Sequence, residues 1–308
     1  MGVSLASDRT YTNNRADGHA GCAAMLDPIR LQTMIDGFLE EDVGLFDLTS
    51  NLLVPAETRG RFDFVARESF VLAGIEPAMV ALRRYTPDAA IEILAHDGQI
   101  MARGDIICRV TGRARGILTA ERTALNLMQH LSGIATLTRR YVDRIAGTRA
   151  VLVDTRKTTP GLRMLEKYAT HVGGARNHRL RLDGGILVKD NHIAMFGSLT
   201  AAIARAKSVV PLLTKVEVEC DTLDQVREAS AAGADILLLD NMAPAILRDA
   251  IALVAGRCPT EASGGVNLET IRAIAETGID FISVGRLTQG AVAVDIGLDV
   301  QLETAQHG

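Results

Sequence analysis

Hydrophobic and polar residues follow one pattern before Gly116 and a different one after it. Before it, short alternating segments typical of half-buried strands are mixed with two helical stretches. After it, short apolar segments alternate regularly with segments that carry an apolar residue at every third or fourth position. The first pattern predicts an α+β domain, and the second predicts repeated β-α units around a parallel sheet.

The first part of the chain opens with a predicted helix whose apolar face contains Leu31, Ile35 and Leu39. This helix is expected to lead into an acidic loop, Glu40-Glu41-Asp42. A second helix is predicted over residues 77–85. The strands predicted around it cover residues 61–66, 70–73, 91–94 and 106–110.

The second part opens with a long helix, which we expect Thr119 to cap and which is predicted to end near Ala146. Six strand-helix repeats follow, and either an open doubly wound sheet or a closed α/β barrel fits them. The barrel is favoured because each strand ends in charged or glycine-rich residues, which a barrel gathers at one rim. The predicted strands are 150–154, 185–189, 215–219, 235–240, 259–263 and 280–285, and the helices are 161–172, 198–209, 222–232, 244–255 and 267–276.

Composition excludes several classes of protein. The chain has 308 residues with 33 Lys and Arg against 37 Asp and Glu, a net charge of −4. This mild acidity argues against a nucleic-acid or membrane-surface binder, and no apolar run approaches the ~20 residues that span a bilayer. The cysteines are scattered and match no zinc spacing, so we expect reduced thiols and a cytoplasmic protein. They are Cys22, Cys108, Cys220 and Cys258.

The first two strand ends are rich in cations. Between Asp154 and His192 there are eight Lys and Arg residues against four Asp and Glu. Arginine binds carboxylates and phosphates with two parallel hydrogen bonds, and lysine acts as a point charge. The rim is therefore expected to bind a small molecule with several negative groups, through Arg156, Lys157, His178, Arg179 and Lys189.

Later strand ends carry carboxylates and glycines. Glu219 and Asp240 lie at neighbouring strand ends, where they could hold a Mg²⁺ bridge to a polyphosphate or bind sugar hydroxyls. The glycine-containing steps could present backbone N–H groups to a phosphate. These steps are Ser263-Gly264-Gly265 and Val284-Gly285-Arg286.

Other polar residues are given structural interpretations. Arg163 and Lys167 follow the first strand end and are expected to be solvated or paired with Glu166. Asp154 could cap or orient its own loop. Of Glu217 and Glu219, only one is expected to face the barrel interior.

Several motifs, taken together, resemble one known family. They are Asp154-Thr155-Arg156-Lys157-Thr158-Thr159-Pro160-Gly161, Asn177-His178-Arg179-Leu180, Lys189-Asp190-Asn191-His192, Val216-Glu217-Val218-Glu219, Leu239-Asp240-Asn241 and Glu121-Arg122-Thr123-Ala124-Leu125-Asn126. The sequence resembles quinolinate phosphoribosyltransferases, which are also called carboxylating nicotinate-nucleotide pyrophosphorylases. The similarity covers about residues 26–300, with the motifs in order.

The resemblance implies a two-domain organisation and an activity. It implies an N-terminal sandwich domain over 26–116, joined by 291–300, and a C-terminal TIM-like barrel over 117–290. The polar composition of residues 1–25 separately predicts a disordered leader. Enzymes of this family condense quinolinate with phosphoribosyl pyrophosphate and use Mg²⁺. The products are nicotinate mononucleotide, pyrophosphate and CO₂, in NAD biosynthesis.

The resemblance also implies roles for individual residues. In the implied homodimer, Arg122 is donated across the interface to the partner's quinolinate pocket, beside Arg156, His178, Arg179 and Lys189. Phosphoribosyl pyrophosphate would contact Thr155, Lys157, Glu219, Asp240, Ser263, Gly264, Gly265, Val284, Gly285 and Arg286. Glu219 and Asp240 would also hold the metal. The catalytic residues would be Lys157, Lys189, Glu219 and Asp240.

Two positions depart from the family pattern. Ala175 and Arg181 stand where glycine is common in the family, which affects the loop beside the pocket.

Three other functions stay open. They are a molybdenum-locus phosphoribosyltransferase of the same fold, a Schiff-base lyase using Lys189, and a non-catalytic phosphate-binding module. The Lys189-Asp190-Asn191-His192 motif favours the quinolinate enzyme over the first of these.

Overall fold

The computed structural model describes residues 26–302, so the leader expected over residues 1–25 lies outside the described part of the chain. The first half forms an antiparallel sheet with helices packed against it. Its helices are α1 (Pro28–Val43), α2 (Leu48–Leu53) and α3 (Ile75–Tyr85), and its strands are β1 (Arg59–Ala66), β2 (Phe70–Val71), β3 (Ala90–Ile93), β4 (Ile100–Met101) and β5 (Ile106–Arg113).

The antiparallel sheet includes a strand from the far end of the chain. Strand β12 (Ile296–Leu302) pairs with β1, and the strand order is β12-β1-β5-β3. Strands β2 and β4 form a separate two-stranded ribbon. Phe62 and Phe64 are two apart on β1, so they share the face that packs into the first hydrophobic core.

The long helix α4 (Ala114–Arg144) connects the two halves. Its residues from Ala114 to Ala135 pack into the first core, while Tyr141 packs into the second. The prediction that Thr119 caps this helix is wrong. Strand β5 continues directly into the helix at Ala114, and the Thr119 hydroxyl donates inside the helix to the carbonyl of Arg115 (2.8 Å).

The acidic segment Glu40-Glu41-Asp42 was also misplaced by the sequence pattern. It forms the last turn of α1 rather than a loop, and the helix ends at Gly44. Gly44 adopts a φ of 60°, which glycine tolerates better than other residues. Its backbone N–H donates to the carbonyl of Glu40 (3.3 Å) and so ends the helix.

The second half contains the six predicted parallel strands. Five are shorter than expected, and the strand predicted over 215–219 keeps its length but begins one residue later. In space they follow the order β6-β11-β10-β9-β8-β7. At the β6 edge, Arg176 pairs in parallel with Val153 in a single bridge. The strands are β6 (Val151–Val153), β7 (Ile186–Val188), β8 (Val216–Cys220), β9 (Ile236–Asp240), β10 (Thr260–Ser263) and β11 (Phe281–Ser283).

Helices pack around this parallel sheet and enclose the second hydrophobic core. Two short ones, α6 and α11, start directly after strand ends and were not predicted. The helices are α5 (Arg163–Val172), α6 (Asp190–Phe196), α7 (Leu199–Val209), α8 (Leu223–Ala231), α9 (Pro244–Val254), α10 (Ile271–Ala275) and α11 (Arg286–Gln289), with a 3₁₀ turn at Leu182–Gly184. Within residues 26–302, none of the helices combines the length and apolarity needed to cross a membrane.

Candidate active site

One cavity of about 630 Å³ lies where the carboxyl ends of all six parallel strands meet. Residues of the two edge strands, such as Asp154 after β6 and Leu187 on β7, line the same cavity, so the sheet curls around it. The sequence-predicted residues that line it are Thr155, Arg156, Lys157, His178, Arg179, Lys189, Glu219, Asp240, Ser263, Gly264, Gly265, Val284, Gly285 and Arg286.

Arg122 is the predicted site residue that does not line this cavity. It lies on α4 and its side chain is exposed to solvent. The predicted role of Arg122 in the neighbouring subunit therefore stays a prediction.

Asp154 is fully buried and holds the loop that carries His178. Its Oδ1 accepts a hydrogen bond from the backbone N–H of His178 (2.8 Å), and its Oδ2 accepts one from the Asn177 amide (2.7 Å). The expectation that Lys167 is solvated or paired with Glu166 is wrong. The buried Lys167 ammonium forms an ion pair with Asp154 and donates to the carbonyl of His178 (3.0 Å).

Glu166 is instead paired with residues from two other segments. Its carboxylate lies 3.0 Å from Nε2 of His130 and accepts a hydrogen bond from the backbone N–H of Thr159 (3.0 Å). Burial alone would raise the pKa of Glu166, but the contacts with His130 and Thr159 outweigh it and lower that pKa. Glu166 thus fixes the loop after β6, which carries Arg156 and Lys157 into the cavity.

Cationic groups enter the cavity from the first two strand ends. The Nε of Arg156 is buried and has no hydrogen-bond partner among the described residues. The Nη1 of Arg179 donates to the carbonyl of Gly185 (2.8 Å), which fixes this guanidinium. Burial lowers the pKa of Arg179, and the nearby charge of Arg156 lowers it further. Two guanidinium groups that destabilise each other in this way provide a binding site for an anion.

The acidic groups lie at the next strand ends. Glu219 forms an ion pair with Lys189, linking the carboxylates to the cationic side of the cavity. Asp240 accepts a hydrogen bond from the Asn241 amide (2.6 Å). Because Glu219 on β8 is level with Leu238 on the adjacent β9, Asp240 lies two residues further along the same rim. The donor set is carboxylate oxygen throughout, which fits Mg²⁺.

Two glycines allow close approaches at the rim. Gly264 has a φ of 91°, and a Cβ there would overlap the side chain of Asn241. A Cβ at Gly285 would lie 2.7 Å from Cδ of Lys157. Glycine is therefore required at position 264, whereas a side chain at position 285 would displace the flexible Lys157 side chain.

His178 and Glu261 line the cavity, and Glu217, which contacts His178, completes a group of three ionisable side chains called here the floor cluster. Nε2 of His178 lies 2.8 Å from Oε2 of Glu217 and 3.7 Å from Oε2 of Glu261. The expectation that only one of Glu217 and Glu219 faces the interior is wrong. Residues two apart on a strand share a face, and Glu217 contacts His178 while Glu219 contacts Lys189.

Sequence reasoning missed Glu261 altogether. It lies on β10 two residues before Ser263, so the alternation of a strand places both on the inner face. Burial raises the pKa of Glu261 to about 7, and the neighbouring charge of Glu217 contributes to the rise. The available signal was its place two residues before Ser263 on the same predicted strand.

Comparison with known proteins places this geometry in a family. The N-terminal domain family described as quinolinate phosphoribosyl transferase matches residues 47–132, and the corresponding C-terminal domain family matches residues 134–299. The chain belongs to the quinolinate phosphoribosyl transferase family. The two matches meet inside α4, the helix that contributes to both hydrophobic cores.

Individual members of the quinolinate phosphoribosyl transferase family are similar to this chain along most of their length. A probable carboxylating nicotinate-nucleotide pyrophosphorylase of Bacillus subtilis (strain 168) is 41% identical over 276 residues, covering 89% of this chain and 94% of that protein. One of Mycobacterium leprae (strain TN) is 42% identical over 269 residues, covering 85% and 94%. The crystal structure of NadC from Streptococcus pyogenes superimposes with a TM-score of 0.87 at 38% identity, covering 90% of this chain and 99% of that one.

Proposed function

We propose that this protein transfers the phosphoribosyl group of phosphoribosyl pyrophosphate to quinolinate, with loss of CO₂. The products are nicotinate mononucleotide and pyrophosphate, and the reaction belongs to NAD biosynthesis. The observation that carries the proposal is a single cavity with cationic groups on one side and a carboxylate pair on the other. These two sides match a dicarboxylate and a phosphorylated ribose that carries a pyrophosphate. A probable carboxylating pyrophosphorylase is 41% identical in sequence, and NadC shares the fold.

Quinolinate carries two adjacent carboxylates and needs several cations around it. Arg156 and Arg179 have the planar fork that binds a carboxylate with two hydrogen bonds, and Lys189 adds a point charge. The lowered pKa of Arg179 reflects burial and the neighbouring Arg156 charge, both of which a bound carboxylate would offset. The cations therefore orient the pyridine ring in the cavity.

Phosphoribosyl pyrophosphate would occupy the opposite side. The rim residues Ser263, Gly264 and Gly285 can bring backbone N–H groups close to a phosphate, and Lys157 and Arg286 supply charge there. Glu219 and Asp240 would bind ribose hydroxyls and hold Mg²⁺. When bound, Mg²⁺ would neutralise charge on the departing pyrophosphate.

The chemistry needs no covalent bond to the protein. As the ring nitrogen bonds to the anomeric carbon, positive charge builds on the ribose, and the nearby carboxylates stabilise it. N-ribosylation leaves a pyridinium, which accepts the electrons of the adjacent carboxylate as CO₂ departs. Because the cavity would enclose that carboxylate away from water, its departure as CO₂ is favoured.

We also propose that the protein acts as a cytoplasmic homodimer. Arg122 is exposed and distant in sequence from the rim residues, as expected if it completes the partner's quinolinate pocket. The free thiols of Cys108 and Cys220 are buried, and burial raises the pKa of each to about 12. Such inert reduced thiols suit a reducing compartment.

The test is release of CO₂ from quinolinate by the purified protein. Release is expected only with phosphoribosyl pyrophosphate and Mg²⁺ both present, and removal of the metal by a chelator should stop it. Asp240→Asn, which removes one carboxylate without changing size, should lose most of this activity. Wild-type protein that releases no CO₂ under the complete conditions would refute the proposed function.

A further inference from the structure

The floor cluster of His178, Glu217 and Glu261 contains two carboxylates, Glu217 and Glu261, that have no assigned role in the proposed reaction. Its three ligand-type atoms lie within 4.8 Å of one another, which is the spacing of a metal site. The backbone N–H of Arg179, however, donates to Nδ1 of His178 (2.8 Å), so the ring proton lies on Nε2, facing Glu217. A metal at Nε2 would require both ring nitrogens to lose their protons, so the geometry does not suit a metal.

The proposed reaction contains a step for which no group has been assigned. When the carboxylate at C2 of the pyridinium leaves as CO₂, the C–C bond breaks and its electron pair stays on C2. That carbanion must take up one proton to give nicotinate mononucleotide. An acid is therefore required close to the place where the carboxylate was bound.

We propose that Glu261, as a neutral carboxylic acid at the cavity floor, donates this proton to C2. This inference rests on the proposed function. In the step, the Glu261 O–H bond breaks, a C2–H bond forms, and the resulting Glu261 carboxylate regains a proton from water after the product leaves. No oxidant or further reactant is needed.

The position of Glu261 supports this assignment. It lines the cavity, and its Oε2 lies 3.7 Å from Nε2 of His178, whose neighbour in the chain is Arg179. The backbone of His178 is bound to Asp154, two residues before Arg156. Glu261 lines the same cavity as Arg156 and Arg179, the two arginines that would hold the quinolinate carboxylates.

The surroundings of Glu261 favour its neutral form. Its Oε1 is buried without a hydrogen-bond partner among the described residues, and the same is true of Oε1 of Glu217. If both carboxylates were ionised, their charges would repel each other and each would lose its solvation. A proton on one of them removes that repulsion. Burial raises the pKa of Glu261 to about 7, which suits a general acid near neutral pH.

Other candidate acids are less well placed. Lys189 is paired with Glu219, and Lys157 is exposed and lies beside Gly285. His178 uses its Nε2 proton in the hydrogen bond with Glu217. Glu261 is the cavity-lining group whose protonation relieves repulsion from a neighbouring carboxylate and whose Oε1 has no hydrogen-bond partner among the described residues.

The first test compares Glu261→Gln with wild type under saturating phosphoribosyl pyrophosphate and Mg²⁺. Loss of a general acid is expected to lower kcat by roughly 10²–10⁴-fold, while KM for quinolinate changes by less than about threefold. Glu269→Gln makes the same chemical change at an exposed position outside the cavity and should leave kcat unchanged. Thermal unfolding of each variant checks that the fold is intact.

The second test uses pH, because Glu261 must be protonated to act. The groups that face it are His178, Glu217 on β8, Ser283 on β11 and Asp154 after β6, the last paired with Lys167. Wild-type kcat should fall as pH rises through about 7. Glu217→Gln keeps a hydrogen-bond acceptor for His178 but removes the charge that raises the pKa of Glu261, so the fall should move to lower pH.

The outcomes separate this inference from the proposed function. If wild type releases CO₂ and Glu261→Gln keeps kcat within about threefold, Glu261 is not the acid although the function holds. A fall in kcat that Glu217→Gln does not shift would also overturn the inference, and this variant decides the matter if Glu261→Gln fails to fold. If wild type releases no CO₂, it is the proposed function that fails.

Discussion

At the residue scale, Arg156 is the cation whose loss should be clearest. Its Nε is buried without a described partner, so part of its hydrogen-bonding capacity is uncommitted in the unliganded cavity. Arg156→Ala should raise KM for quinolinate by roughly 10–150-fold, since each charge-assisted contact contributes ~1.5–3 kcal/mol. Steady-state kinetics with quinolinate as the varied substrate measures this.

A conservative variant separates charge from geometry at the same position. Arg156→Lys keeps the positive charge but not the planar fork, so it should recover only part of the lost affinity. An unchanged KM in Arg156→Ala would show that this arginine does not bind the quinolinate carboxylates.

Lys167 allows a prediction about stability. Lys167→Met leaves Asp154 buried without its counter-charge, which should lower the free energy of unfolding by ~3–5 kcal/mol. Lys207→Met is the matched control, because Lys207 is 41% exposed and lies 3.7 Å from Asp235, so its loss should cost ~1 kcal/mol or less. Chemical denaturation of both variants measures the difference, and equal losses would contradict a structural role for the buried pair.

The candidate site shows which residues a sequence can locate and which it cannot. Residues at the ends of parallel strands were found because the fold type alone brings those ends together, as for Lys189 and Asp240. Lys167 was misjudged because a helix face gives no indication of a partner on another element. Glu261 was missed although strand alternation places it on the inner face with Ser263.

At the scale of elements, the order of the longer helices and of the parallel strands followed from the hydrophobic pattern, whereas the short helices and the ends of elements did not. The start of α4 was placed at Thr119 because a threonine is a common cap, but β5 runs into the helix without an intervening turn. The end of α1 was placed too early because acidic residues resemble a loop. Ends depend on local hydrogen bonds, such as the one that Gly44 makes to Glu40.

Packing of α4 against the returning chain gives a second stability prediction. Gly133 lies in the buried part of α4, and a Cβ there would overlap the carbonyl oxygen of Val292. Gly133→Ala should therefore lower the free energy of unfolding by ~1–3 kcal/mol through overpacking. Gly37 lies on the exposed side of α1 with no atom near its added Cβ, so Gly37→Ala should stabilise by ~0.5–1 kcal/mol.

Denaturation midpoints of these two glycine variants provide the comparison. Both changes add one methyl group inside a helix, so helix propensity acts in the same direction in each. The two variants are expected to change the free energy of unfolding in opposite directions, because an added methyl group meets another backbone segment at Gly133 but not at Gly37. Stabilisation by Gly133→Ala would show that α4 and the segment before β12 do not pack as closely as described.

At the scale of the whole molecule, positive charge is concentrated in one segment that lines the cavity, while the rest of the chain is acidic. The chain is acidic overall, yet the segment from Asp154 to His192 carries twice as many basic as acidic residues and lines a cavity of about 630 Å³. A general nucleic-acid binder would instead display its positive charge over an open face. This chain concentrates positive charge where a small polyanion can be enclosed, and Arg122, exposed on α4, adds a cation outside that cavity.

Exchange of subunits tests whether Arg122 completes a neighbour's site. Arg122→Ala and Lys189→Ala chains should each be inactive alone. In a hybrid dimer, one of the two sites would combine an intact Lys189 with an intact Arg122. Random mixing makes half of the dimers hybrid, so roughly a quarter of wild-type CO₂ release should return. Native mass spectrometry of differently tagged chains verifies the exchange, and hybrid dimers without activity would show that each subunit completes its own site.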